Sequence, residues 1–152
     1  MKANEFKIFS SAFKEGEMIP QKYTGDGINI NPELKWENPP KETKSFALIC
    51  DDPDTPMGVI HHWLVKDIPA SVHEIPEGGS VGVVLPNIAG VTSYIGPAPP
   101  SGIHKYFFKL YAMKTEKLAA TNKDELYKEV EIENCGKAAL MGMYTREKKE
   151  KP

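Results

Sequence analysis

The chain has 152 residues, 40% of them hydrophobic and 26% charged, with a formal net charge of −2. That length supports one self-sufficient core, and a near-neutral balance with scattered basic residues gives no electrostatic case for nucleic acid as a partner. No apolar run approaches the ~20 residues of a membrane span, and Met1-Lys2-Ala3-Asn4-Glu5-Phe6 lacks the apolar stretch of an export signal.

A cytoplasmic protein without integral membrane association is therefore expected, with Cys50 and Cys135 as reduced thiols. Thirteen prolines and twelve glycines are spread along the chain, which argues against a helical bundle and for short strands joined by shaped loops. We expect a single domain over 1–152, with 146–152 a frayed, solvated tail.

In chain order, Phe6 to Phe13 alternates weakly and reads as a strand. Met18-Ile19-Pro20 is a short extended piece, and Thr24-Gly25-Asp26-Gly27 is a turn. An extended run from Asn29 to Trp36 is stopped by Asn38-Pro39-Pro40. Ser45-Phe46-Ala47-Leu48-Ile49-Cys50 is apolar on both parities, the pattern of a strand covered on both faces. His61 to Val65 and Val81 to Leu85 are further strands, separated by the turn Pro76-Glu77-Gly78-Gly79. His104 to Met113 is the clearest strand. Asn122-Lys123-Asp124-Glu125 resembles a capping box opening a helix through Leu126, Tyr127 and Val130. Ala138-Ala139-Leu140-Met141 suggests a second, short helix before Tyr144. The expected class is mainly β, a β-sandwich of antiparallel sheets with short helices near the C-terminus; an open barrel is the alternative.

The chemistry concentrates in Gly96-Pro97-Ala98-Pro99-Pro100-Ser101-Gly102-Ile103-His104-Lys105-Tyr106. A proline-stiffened loop followed by two polar rings on a strand is a way to build a small pocket with a rigid rim. Alternation puts His104, Tyr106, Phe108 and Leu110 on one face and the lysines Lys105 and Lys109 on the other, so the first set faces inward. The same parity places Asp52 in line with Phe46, Leu48 and Cys50. For His61 and His62 it says only that they point to opposite faces.

Imidazole, phenol and loop amides are donors suited to a phosphate or carboxylate. Asp52 then has a place as the acceptor that fixes a histidine tautomer, or as the partner of an ammonium on a zwitterionic ligand. Histidines that are merely satisfied structural groups are the competing reading. A metal held by histidines and a carboxylate is disfavoured because an adjacent pair on a strand diverges. A hydrolase built from Ser101, His104 and Asp52 is weakened by the absence of Gly-x-Ser-x-Gly and by Ser101-Gly102 reading as a turn. His73 reads as a solvated loop residue. One prolyl bond in the Pro53–Pro56 or Pro97–Pro100 segments is expected to be cis, fixing the loop's direction.

At these residues the chain resembles the phosphatidylethanolamine-binding protein family, also called Raf-kinase-inhibitor-protein-like, and in particular its shorter bacterial and archaeal branch. The likeness covers nearly the whole chain, from Ser11-Ala12-Phe13 and Tyr23-Thr24-Gly25-Asp26-Gly27 through Leu34-Lys35-Trp36 and Ile75-Pro76-Glu77-Gly78. Its specific part is Asp52-Pro53-Asp54-Thr55-Pro56 and His61-His62-Trp63 joined to Gly96-Pro97-Ala98-Pro99-Pro100 with His104 and Tyr106.

The resemblance implies a β-sandwich with a small pocket at its edge for phosphate-type groups, such as phospholipid headgroups or phosphorylated residues. The pocket residues it implies are Asp52, His62, Pro99, Pro100, His104 and Tyr106, with Gly96 and Pro97 as the loop. It thus selects His62 over His61. It implies ligand binding and inhibition of kinases or proteases, with no settled catalysis and no cofactor or metal. Three departures stand out. Ala98 replaces a frequent Cys, Lys105 a usual Arg, and Ala139 an acidic residue before Leu140. The chain also lacks the C-terminal extension of eukaryotic members, which helps cover the pocket there. Nothing in the sequence argues for a homodimer over a monomer.

Overall fold

A computed structural model describes residues 5–146. In chain order its strands are β1 (Lys7–Phe9), β2 (Leu34–Glu37), β3 (Ser45–Thr55), β4 (Gly58–Pro69), β5 (Glu74–Ile75), β6 (Val83–Leu85), β7 (His104–Met113) and β8 (Asn134–Tyr144), with helix α1 (Lys123–Glu133) between the last two. They form a three-stranded sheet, β1-β2-β5, and a five-stranded sheet, β6-β4-β3-β7-β8. Every pairing is antiparallel. The two sheets pack face to face, as expected for a sandwich.

Central strand β3 explains the layering. Its even residues Phe46, Leu48 and Cys50 join Ile8, Leu34, Trp36 and Ile75 in the core between the sheets. Its odd residues Ala47 and Ile49 join Leu118, Leu126 and Val130 in a second core under α1. A strand sandwiched between two apolar layers must be apolar on both parities, which is how it reads. β3 also runs on through Pro53. The proline lies where the β3–β4 register shifts between Asp52 and Thr55, so no regular ladder position loses its N–H.

Helix α1 starts at the expected cap. The Asn122 side chain accepts the Glu125 N–H at 3.0 Å, while the Glu125 carboxylate reaches back to the Thr121 N–H at 2.8 Å.

The second helix expected at Ala138–Met141 is instead part of β8. These residues favour helix locally, but pairing along β7 from His104 to Met113 supplies a full ladder that a helix there would forfeit. Gly142 lets β8 pack closely: a Cβ there would meet Ile19 Cγ1 at 2.6 Å and the Phe13 ring at 2.7 Å. Of the tail expected over 146–152, Arg146 is not frayed. It pairs with Asp26 at 2.8 Å, and the rest of that segment lies outside the described residues.

Candidate functional site

The site forms where β3, β4 and β7 end beside the loop from Tyr94 to Gly102. A cavity of about 200 Å³ is lined by Asp52, Thr55, Ile60, His62, Ile95, Gly96, Ala98, Pro99, Pro100, His104 and Tyr106. Strand alternation accounts for His104 and Tyr106, both buried, with Lys105 exposed between them.

The two histidines do point to opposite faces, and a bulge decides which goes where. Cys50 pairs with Trp63 while Asp51 pairs with His61, so His62 is an extra residue, a β-bulge in β4. Trp63 and Val65 belong to the core between the sheets, and the bulge turns His62 to that same side. His61 goes to the α1 side, within electrostatic reach of Lys123 and Asp124.

The loop is sewn onto β4 through Ile95. Its N–H donates to the His62 carbonyl at 3.2 Å, and its carbonyl accepts from His62 Nδ1 at 2.8 Å. Gly96 donates to Asn29 Oδ1 at 2.7 Å, and Gly25 donates to the Pro97 carbonyl at 2.8 Å. The approach is so close that a Cβ on Gly96 would run into the Tyr23 carbonyl and Thr24 Cα. The expected cis bond is absent: every peptide bond among the described residues is trans. Direction is set by this stitching to β4 and to the 21–29 segment.

Both Asp52 oxygens are bonded. One oxygen meets His104 Nδ1 at 2.6 Å, and the other accepts the Asp54 N–H at 2.8 Å. The contact with His104 is the one expected of a carboxylate that orients an imidazole. His104 Nε2 faces the Ser101 carbonyl at 3.0 Å. Both ring nitrogens thus face acceptors, an arrangement that favours the doubly protonated ring. Burial pulls its pKa down, but the hydrogen bond and charge of Asp52, helped by Ser101 and Asp54, raise it above the usual 6.5.

His62 is the opposite case. Burial holds its pKa below 6.5 against the pull of Ile95 and Asp52. It is neutral at pH 7, with Nδ1–H given to Ile95 and Nε2 left as an acceptor. Burial, then the Asp52 charge, keeps the Tyr106 phenol protonated. The Tyr106 ring stands edge-on to His62 at 5.4 Å and stacks near His104 at 6.3 Å.

Sequence reasoning missed Asn29, Ile95 and Asp54, the last of which pins the start of β7 by accepting the Lys105 N–H at 2.8 Å. All three bond to backbone groups, which leave no mark in residue type. Ser101 touches His104 through its carbonyl, so His104 has no nitrogen free to act as base for the Ser101 hydroxyl. Among the described residues no group of three His, Cys, Asp or Glu side chains is arranged to hold a metal ion. No helix there is long and apolar enough to cross a membrane.

The sequence profile described as phosphatidylethanolamine-binding protein matches residues 9–145, which include every residue of this cavity. The chain belongs to that family. A UPF0098 protein of Methanothermobacter thermautotrophicus is 41% identical over 144 residues, which span 89% of this chain and 95% of that one. A UPF0098 protein of Aquifex aeolicus is 41% identical over 158 residues, spanning 93% and 89%. The crystal structure of a phosphatidylethanolamine-binding protein homologue from Chlamydia trachomatis matches with a TM-score of 0.87 at 34% identity, over 95% of this chain and 100% of that one. Escherichia coli YbcL, described as a member of the mammalian family, matches with a TM-score of 0.88 at 31% identity, over 94% and 99%.

Proposed function

We propose that the cavity binds a small phosphate-type anion, free or as a headgroup, and that occupancy regulates a partner protein such as a kinase or protease. The observation that carries this reading is the pairing of a protonated Tyr106 hydroxyl with a histidine nitrogen, His62 Nε2, that no protein group takes. Beside them His104 carries a positive charge that Asp52 balances, so an anion does not face a bare carboxylate. At about 200 Å³ the space suits a headgroup and not an acyl chain. Ile103, exposed and next to His104 in the chain, supports a docking surface near the cavity.

An anion here favours the charged form of His62, so binding takes up a proton at Nε2 and strengthens as the pH falls. The test is a histidine-ring NMR titration with inorganic phosphate. Saturable shifts of His62 and His104 are expected, together with a rise in the His62 pKa, and Tyr106→Phe should weaken binding about tenfold. Rings that stay silent at millimolar phosphate would remove the reading.

A further inference from the structure

The larger concavity lies on the opposite face of the same sheet. A groove of about 720 Å³ is bounded by Val59 and Phe107, by the Asp51–Lys109 pair, and by Lys123, Tyr127 and Lys128 of α1. Its size falls within the range of about 300–1,000 Å³ typical of small-molecule sites.

The charges in it are not equivalent. Lys109 is already spent on Asp51 at 2.6 Å, and the same carboxylate oxygen accepts the Tyr127 hydroxyl at 2.7 Å. Those three groups satisfy one another and hold α1 against β7. Lys123 reaches only Asp124, at 3.7 Å and on the surface, a contact of little energy. Lys123 and Tyr127, four residues apart, share one face of α1, and Lys128 reaches the groove from the adjoining flank of the helix. The floor is apolar, with Val59 53% exposed and Phe107 half-buried. The rim also carries the exposed carboxylate of Asp124 beside Lys123, but the two lysines outnumber it, and an apolar floor beside them complements a ligand with an apolar body and an anionic head.

We propose that this groove is a second binding site, for a small amphiphilic carboxylate or sulfonate whose body lies on Val59, Phe107 and Tyr127 and whose head meets Lys123 and Lys128. The inference does not depend on what the first cavity holds. His61 supports it as a neighbour: it is buried, its Nδ1 has no hydrogen-bond partner, and it feels the charges of Lys123, Asp124 and Asp51, which line the groove, as well as that of His62. The ring is therefore a reporter for charge arriving in the groove, as His62 is for the other side.

The experiment is an NMR titration of the full chain with octanoate, octanol and inorganic phosphate in separate arms. Octanoate is expected to shift the Val59, Phe107, Lys123 and Tyr127 amides and the His61 ring saturably, with octanol at least tenfold weaker. Lys123→Glu with Lys128→Glu should weaken octanoate about tenfold and leave the phosphate response of His62 and Tyr106 as it was. Both substitutions are on the helix surface, and Lys123→Glu suits the helix N-terminus, so the fold is retained. No saturable shift at millimolar octanoate overturns the proposal. So does equal affinity for octanol, or an affinity that ignores the double reversal. A silent phosphate arm with a responding octanoate arm would sink the first site and leave this one standing.

Discussion

Asp51 and Asp52 are neighbours, as are His61 and His62, yet each pair is divided between the two faces of one sheet. On the inter-sheet side Asp52 is locked to a buried imidazolium, with side chains only 8% and 4% exposed. On the helix side Asp51 meets an ammonium that keeps 30% of its side chain in water. The same residue types therefore do different physical work. A buried, fully bonded ion pair fixes geometry and tolerates no loss of a partner, whereas a pair with a wet end is adjustable and adds little by itself. The small cavity is thus built against a bonded, buried ion pair, and the groove is the roomier of the two, with charged side chains of α1 at its rim.

That contrast predicts unequal costs of removing a partner. His104→Ala strands the Asp52 carboxylate and should cost about 3 kcal/mol, read as a lowered urea midpoint. Asp51→Asn, which keeps a polar group for Tyr127 and leaves Lys109 its water, should cost about 1 kcal/mol. Equal costs would erase the distinction between the faces.

The histidines sharpen it through pH. In an NMR titration His104 should have its midpoint above 6.5, and His61 and His62 below it. His104's folded pKa is raised, so its contribution to stability is full below 6.5 and is lost as the pH rises through the raised value. His61 and His62 act in reverse. From 6.5 downward the unfolded chain takes up their protons first, and the folded state loses stability. A common midpoint for all three rings would contradict the division. The smallest expected effect is at the rim: Ala98 is exposed, so Ala98→Cys should restore the frequent family thiol with a stability change within about 0.5 kcal/mol, measured by thermal unfolding.

Much of the site was legible because strands have a period of two. His104 to Met113 shows that period cleanly, and the lysines mark which parity meets water, so Tyr106 could be placed inward without coordinates. The double-covered core strand at 45–50 was equally readable. Three things were not. Ala138–Met141 reads as helix by composition, and only the partner strand β7 makes it β8. The direction of the 96–102 loop looked like a matter for a cis proline, and it comes instead from hydrogen bonds to Ile95, Gly96 and Pro97 across the fold. The groove under α1 has no motif, because its walls come from β3, β4, β7 and the helix.

By itself the sequence determined the class of fold, the strand that bears His104 and Tyr106, the cap that starts α1, and the family. Those depend on local periodicity, side-chain chemistry and short motifs, which neighbours along the chain carry. Tertiary structure supplied the physical reason that His62, the histidine the family resemblance implies, and not His61 lines the cavity. A single extra residue in β4, opposite Cys50, shifts the parity of everything before it, and a bulge is a property of two paired strands, which no single segment records.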